Sequence, residues 1–442
     1  MVRLAVLLIG ADAVRRQWPW LAAMGALWIG VGALVFLDAS SGVLGIATEV
    51  LGALFAIEGA FALTGAWAAT PGARSALAWR GVAFILFGLL IADVLVDHGL
   101  SDSILFGLAF LLDGALRIAS AAVVRFERWR TAIAAACVEL VLAGLILADW
   151  PWPYRLVIPY CMSVALATSG LTLVRLGLQL RALPAGGSVT QLPMFRSRPW
   201  HSRRTVEAAR WPEPDGSEVL TLYVWTPVGA IESPLPRPLV SRYIAAVDRS
   251  GVVSTGHAAV ELAPDVYISL YPAIDIDHSP DDFTRLLRAG TENDVPGRWN
   301  ESHDIEVARW RPPDRRVRFR RFNATALRRF WHEYQSDTTY NLTSRSCSTA
   351  TSLALECALE GSLGRRHPWR AFFALIVDPY VWLAAMLRHR GATMAWTPGL
   401  VLDYARALRR VVEERPSRDR RRRRIARRKV AVTPAEAELH RE

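Results

Sequence analysis

Gly52-Ala-Leu-Phe-Ala-Ile-Glu58-Gly59 returns, conservatively altered, as Gly107-Leu-Ala-Phe-Leu-Leu-Asp113-Gly114, and Ser163 through Ser169-Gly170 is a third, weaker copy. Each copy places small residues seven apart, on one helix face, where they let two backbones approach closely in lipid. Outward from these segments, Gly32, Gly88 and Gly144 recur every 56 residues, each followed five or six positions later by an acid, Asp38, Asp93 or Asp149. A period of that kind predicts repeated helical hairpins, here three of one design. Six apolar stretches supply them, at about 20–37, 43–69, 81–96, 104–124, 131–149 and 155–178. Most meet the ~18–20 residues a spanning helix needs, while 81–96 is short unless extended at its ends.

Composition separates this half from the rest. The chain has 442 residues, 52% hydrophobic, with a formal net charge of +11 and four cysteines, which excludes both a small disulfide scaffold and a disordered chain. Residues 1–180 carry charge only in short clusters, whereas 195–345 read as a charged, water-soluble protein. Between Arg415 and Lys429 lie ten basic residues and one acid, Asp419, so nine of the eleven surplus charges sit in that stretch. A general nucleic-acid binder is therefore not expected. The tail at 411–442 is expected to be disordered and drawn to anionic lipid headgroups, at about 1 kcal/mol per arginine near the surface, with RNA as the alternative partner for such a run.

The loops predict orientation. Arg15, Arg16, Arg74, Arg80, Arg125, Arg128, Arg130, Arg175 and Arg181 fall on one side, and Asp38, Asp97, Asp102 and Asp149 with a single Arg155 on the other. The positive-inside rule puts both ends of the unit, and so both termini, in the cytoplasm. Met1–Gly10 shows no small-residue cleavage site, so the first span is expected to stay. The three glycine-plus-acid hairpins, over about 15–180, resemble the HdeD-type family of six-helix inner-membrane proteins. That resemblance implies a link to acid or envelope stress in bacteria. Glu58 and Asp113 are ionisable groups at membrane depth, and hence functional candidates. The competing reading is structural, since Arg117 sits one turn from Asp113 and Glu58 could bond a neighbouring helix.

After a linker at 181–200, rich in Pro and Gly, come strand-like runs at Glu218–Trp225, Val252–Leu262 and Val266–Tyr271, the last two joined as a hairpin by Ala263-Pro264-Asp265. Further strands are predicted at 304–310 and 315–322, and helices at Asp281–Arg288, Ala324–Ser336 and Ser346–Glu360. Strands followed by helices predict an α+β domain over 201–362. Its chemistry centres on Tyr340-Asn-Leu-Thr-Ser-Arg-Ser-Cys347. A cysteine in a first helical turn meets unpaired N–H groups and the positive end of the helix dipole, which favour a thiolate. Gly256-His257 places a histidine at the start of a strand, where a rigid element can aim it as the base. Taken singly, Cys347 also reads as a small core residue and His257 as a hydrogen-bonded strand histidine.

Gly256-His257, the strand Val266–Pro272, the junction Arg311-Pro-Pro-Asp314 and Tyr340-Asn-Leu with Ser346-Cys347 resemble circularly permuted papain-like proteins of the NlpC type. That group includes peptidases, amidases and lipid acyltransferases. Asparagine commonly precedes the cysteine in that family, and Ser346 stands here. The resemblance implies that Cys347 attacks a carbonyl, with His257 as proton acceptor and helix-start N–H groups binding the oxyanion. If 262 pairs with 266, then 257 falls opposite 271, which makes Tyr271 and the diagonal Ser269 the candidates for orienting His257; Glu261 would be roughly 13 Å away along the strand. Cys357 reads as core, and Cys137 and Cys161 lie in spans, so no disulfide framework is expected. No cofactor is implied. Asp275, Asp277, His278, Asp281 and Asp282 form an acid-rich turn that reads as a helix start in preference to a cation site, and His303 and His332 lack zinc-ligand spacing with any cysteine.

Residues 363–410 are predicted as membrane-proximal helices, interfacial or re-entrant, because Asp378-Pro379 interrupts the apolar run Trp369–Leu387. The chain thus reads as an all-α six-helix membrane bundle followed by a soluble α+β papain-like domain. The expected activity is that of a membrane-tethered cytoplasmic thiol hydrolase or acyltransferase acting on a peptide or lipid acyl bond. The alternative is a non-enzymatic membrane stress protein whose soluble domain binds a partner or lipid headgroups.

Overall fold

The computed structural model describes residues 1–41, 46–68, 71–91, 99–126, 129–184, 187–192, 218–226, 246–247, 253–254, 256–274, 276, 285–363 and 368–413. Asp275, Asp277, His278, Asp281 and Asp282 of the acid-rich turn, half of the linker, Asp93, Asp97 and the tail beyond 413 lie outside them.

Two short helices, α1 (Val2–Ile9) and α2 (Ala11–Arg15), precede six long ones: α3 (Trp18–Ser41), α4 (Ile46–Ala68), α5 (Pro71–Ile91), α6 (Gly99–Val124), α7 (Trp129–Ala148) and α8 (Tyr154–Ala182). Among the described residues, four segments are long and apolar enough to cross a membrane: Trp18–Ser41, Phe106–Val124, Trp129–Ala148 and Leu156–Ala182. The corresponding apolar segment of α4, Gly52–Thr64, is shorter. Leu34, Leu112 and Leu116 are more than 60% exposed on these helices, an outward apolar surface that water would not tolerate and lipid does. These features mark a membrane protein.

The small-residue stripes set the packing, but not in consecutive pairs starting from α3. The close partners are α4 with α5, α6 with α7, and α3 with α8. A Cβ on Gly59 would lie 2.7 Å from the Gly81 carbonyl, one on Gly88 2.4 Å from that of Gly52, and one on Gly25 2.6 Å from that of Gly170. Gly32 faces Ser163 in the same way, whereas nothing lies within 4 Å of a Cβ on Gly144. The 56-residue period is thus a seam at Gly32 and Gly88 only. Repetition specifies which face of a helix is small, and each such face can meet the helix before it or after it. Where α3 and α8 meet, Arg15 Nη1 donates to the Leu183 carbonyl (3.4 Å) and Arg181 lies 4.7 Å over the Trp18 ring.

The second half contains a four-stranded antiparallel sheet in the order β5-β4-β1-β8, formed by β1 (Leu220–Trp225), β4 (His257–Leu262), β5 (Val266–Ile268) and β8 (Arg315–Phe319). A second sheet runs β6-β7-β9, with β6 (Leu270–Pro272), β7 (Val295–Trp299) and β9 (Thr339–Tyr340); β2 (Ala246–Val247) pairs with β3 (Val253–Ser254). Leu262 pairs with Val266 in the hairpin. Two expected strands are interrupted. Val252–Leu262 breaks at Gly256, whose φ of 71° suits a residue without a Cβ, and Val266–Tyr271 breaks at Ser269, where the chain passes from one sheet to the other.

Residues 304–310, expected as a strand, form helix α9 (His303–Arg309) instead. Ile305 and Val307 flank Glu306 with a strand-like period of two, but Ser302 caps the segment by accepting the Ile305 N–H at 3.3 Å, and a satisfied N-terminus favours helix. Helices α10 (Ala324–Tyr334) and α11 (Cys347–Leu359) follow, and α11 is buried along its whole length. Then α12 (Pro368–Ile376) and α13 (Pro379–Thr393) meet at a bend of 74° and could form a fifth apolar span as a broken pair. Helix α14 (Pro398–Glu413) buries most of its residues against the sheet and α11. One continuous core joins α1, the sheet, α11 and α12–α14, and the Gly361 and Leu363 N–H groups donate to the Leu7 and Leu8 carbonyls at 2.9 and 2.8 Å.

Candidate active site

Ser346 caps α11 with extended backbone, its hydroxyl accepting the Thr349 N–H at 3.4 Å. Cys347 therefore occupies the first turn, where N–H groups have no carbonyl partner within the helix. The turn before it is built by Asn341: its Oδ1 accepts the Thr343 and Ser344 N–H groups, and its Nδ2 donates to the Gly290 carbonyl and Asp294. Cys347 is 6% exposed and His257 3%.

His257 begins β4, opposite Trp225 of β1. Around that pair the Arg311–Asp314 junction closes the end of the sheet. The Trp225 indole donates to the Arg311 carbonyl at 2.8 Å, Arg311 Nη1 pairs with Asp314 Oδ1 at 2.7 Å, and Asp314 accepts the Thr226 N–H at 2.6 Å. Tyr271 stacks on the imidazole with centroids 4.1 Å apart.

The imidazole stands between two groups. Its Nε2 lies 2.9 Å from Ser269 Oγ and 3.3 Å from Glu306 Oε1, which leaves Nδ1 for the thiol. Glu306 is itself 3% exposed and saturated with donors: Ser269 Oγ donates to it at 2.9 Å, Tyr271 OH at 2.7 Å, and Tyr267 OH as well. Both residues proposed from the hairpin register, Ser269 and Tyr271, thus reach the histidine. Glu261 does not take part and accepts from the Tyr223 hydroxyl instead, at 2.7 Å.

Sequence reading missed Glu306. As part of a strand it would have been one charge among many; one turn into a capped helix, it points beneath the imidazole. The Ser302 cap was the available signal.

The electrostatics follow from this arrangement. Burial opposes ionisation of Cys347, but the charge and hydrogen bond of His257, with the Ala258 N–H and the Ser348 hydroxyl, outweigh it and hold the thiol below its ordinary range. Burial likewise opposes charge on His257, and Cys347 and Glu306 together raise its pKa. Glu306 is buried too, and His257 and the hydroxyl donors keep it low. Cysteine, histidine and glutamate form one chain of charge in which each member offsets the desolvation of the next.

A cavity of about 220 Å³ opens beside Cys347, lined mainly by apolar groups and including Tyr340, Trp396 and Arg390. His303, which shows no ligand spacing in the sequence, stacks on Tyr223 at 3.8 Å. Among the described residues, no cluster of His, Cys, Asp and Glu has the makings of a metal site. In the membrane half, Arg117 pairs with Asp113 at 2.6 Å and Glu139 at 3.2 Å; Glu58 is half-buried. No protein-family profile, curated protein or solved structure matches the chain.

Proposed function

We propose that this protein is a membrane-tethered thiol hydrolase or acyltransferase with Cys347 as nucleophile, His257 as base and then acid, and Glu306 as the residue that positions His257. The observation that carries the reading is His257 wedged between a first-turn cysteine and a buried, fully hydrogen-bonded carboxylate. A nucleophile, a base and an orienting group in that order form the general pattern of activated-nucleophile catalysis. In the reaction Cys347 Sγ attacks a carbonyl carbon and His257 takes the thiol proton, while helix-start N–H groups stabilise the oxyanion. His257 then protonates the leaving group.

The rest of the reading extends from the same residues. We place the catalytic half on a papain-like fold of the permuted NlpC type, and α3–α8 as an HdeD-like six-span unit in the inner membrane with both ends cytoplasmic. The arginine-rich tail binds anionic headgroups. The meeting of α3 with α8 supports an even number of crossings, and the arginine positions support the orientation. Asp113 reads as structural, because Arg117 neutralises it.

Full-length protein and its Cys347→Ala variant, treated with a thiol-reactive acyl probe, test the proposal. Labelling of the parent and none of the variant is expected at residue 347. Equal labelling of the two would remove Cys347 as nucleophile.

A further inference from the structure

The cleft beside Cys347 reaches the end of a membrane helix. One wall is Val124, the last residue of the apolar segment Phe106–Val124, and the Val124 carbonyl accepts the Ala289 N–H at 2.6 Å, which fastens helix to cleft. The next residues mark headgroup depth: Arg125 and Arg130 lie 5.5 and 5.4 Å from the Trp129 ring, the aromatic and cationic pairing found where spans leave the hydrocarbon. Another part of the lining, Met394, Ala395 and Trp396, follows directly from the bent pair α12–α13. That pair is seated on the membrane helices, with Trp369 edge-on to Trp20 at 6.3 Å and Trp382 stacked on Phe61 at 5.7 Å.

The lining of the cleft therefore adjoins apolar helices on both sides, a placement that suits an opening toward lipid. Its volume of about 220 Å³ is below the roughly 300–1,000 Å³ of pockets that enclose a whole small molecule. It suits part of a substrate, the remainder staying outside. Arg390 adds a cation to the lining, which matches a phosphate better than a peptide backbone.

We infer that the substrate is an ester-linked bilayer phospholipid, drawn in by one acyl chain between Val124 and Trp396 so that its ester carbonyl meets Cys347. This rests on the proposed thiol chemistry and narrows it. Cys347 Sγ bonds to the ester carbonyl carbon, the bond from that carbon to the glycerol oxygen breaks, and the departing oxygen takes the proton from His257. The products are a lysophospholipid and a Cys347 thioester. Water then attacks the thioester with its proton passing to His257 and on to the sulfur, releasing a fatty acid and the free thiol. No oxidant or reductant is needed.

The test uses full-length protein in proteoliposomes of phosphatidylglycerol, with residue 347 followed by mass spectrometry, and an acetyl thioester as a short probe. A long-chain acyl adduct on Cys347 is expected. Ala395→Trp, which narrows the cleft, should lower that adduct at least about tenfold more than it lowers acetylation, and Met394→Trp, at a more exposed lining position, should act in the same direction if the first variant fails to fold. Acetylation of Cys347 without any adduct from phospholipid overturns the lipid assignment and leaves the thiol chemistry standing. An equal fall in both adducts in both variants also overturns it, and absence of both adducts from the parent removes the nucleophile together with the substrate.

Discussion

The two ends of α11 carry the same pair of residue types and treat them in opposite ways. Cys347 in the first turn and Cys357 in the last are 6% and 7% exposed, yet the first thiol is held below its ordinary range and the second is pushed well above it. Glutamates repeat the contrast. Glu306, near the first turn, stays ionised beside His257, whereas burial raises Glu360 at the far end to about 7 in spite of hydrogen bonds from Ser188 and the Val189 N–H. Burial is common to all four groups and cannot separate them. What differs is the neighbour: a histidine and a helix N-terminus at one end, other carboxylates and a helix C-terminus at the other.

Exchange of the two cysteines should expose the contrast most strongly. Cys347→Ala is expected to abolish acyl transfer, a loss of at least about 10³-fold, in an assay with an activated thioester. Comparable losses in Cys347→Ala and Cys357→Ala would break the comparison.

Removal of the charge beneath the histidine comes next. Glu306→Gln should slow turnover by up to about 10⁴-fold, the loss seen when an orienting carboxylate of a triad becomes an amide. Because Glu306 helps raise His257, and His257 lowers Cys347, the variant should also lose thiolate at neutral pH. Iodoacetamide alkylation of Cys347, which in the parent should persist below the ordinary thiol pKa of about 8.5, should shift to higher pH. An unmoved profile would mean that the helix terminus alone activates the thiol.

The far end predicts a stability effect. A carboxyl whose folded pKa is raised from 4.5 to about 7 binds its proton more tightly in the folded state, so stability falls as pH rises from about 4.5 to about 7. Glu360→Gln should remove that slope, worth on the order of 1–3 kcal/mol, as read by thermal unfolding at pH 4.5, 6 and 7.5. A slope that survives in the variant would assign it to another group.

The smallest effect should come from Cys357→Ala, with turnover unchanged and about 1 kcal/mol lost in stability, measured by the same unfolding series. A large loss of activity here would show that the helix transmits strain between its ends.

Much of this was legible in the residues. The apolar runs and their glycines announced membrane helices, because a backbone in lipid has few options other than helix. The placing of Cys347 at a helix start followed from Thr-Ser-Arg-Ser before an apolar run, and the 262–266 register followed from a three-residue turn, which put Ser269 and Tyr271 within reach of His257. The alternation in 304–310 misled because two apolar residues flanking a polar one fit a strand as well as a short helix. The partners of the repeated helices were also not readable, since a stripe of small residues says which face packs and not against what.

The sequence by itself determined the two solvents, the cysteine at its helix start and the histidine at its strand start, because these depend on local pattern and side-chain type. Only the tertiary structure decided that Glu306 lies under His257, that α1 and α14 complete the core around α11, and that the cleft beside Cys347 reaches Val124 at the end of an apolar helix. Those are contacts between segments distant in the chain, and the free energy of burying charge or apolar surface depends on what arrives beside it, which no local window of sequence contains.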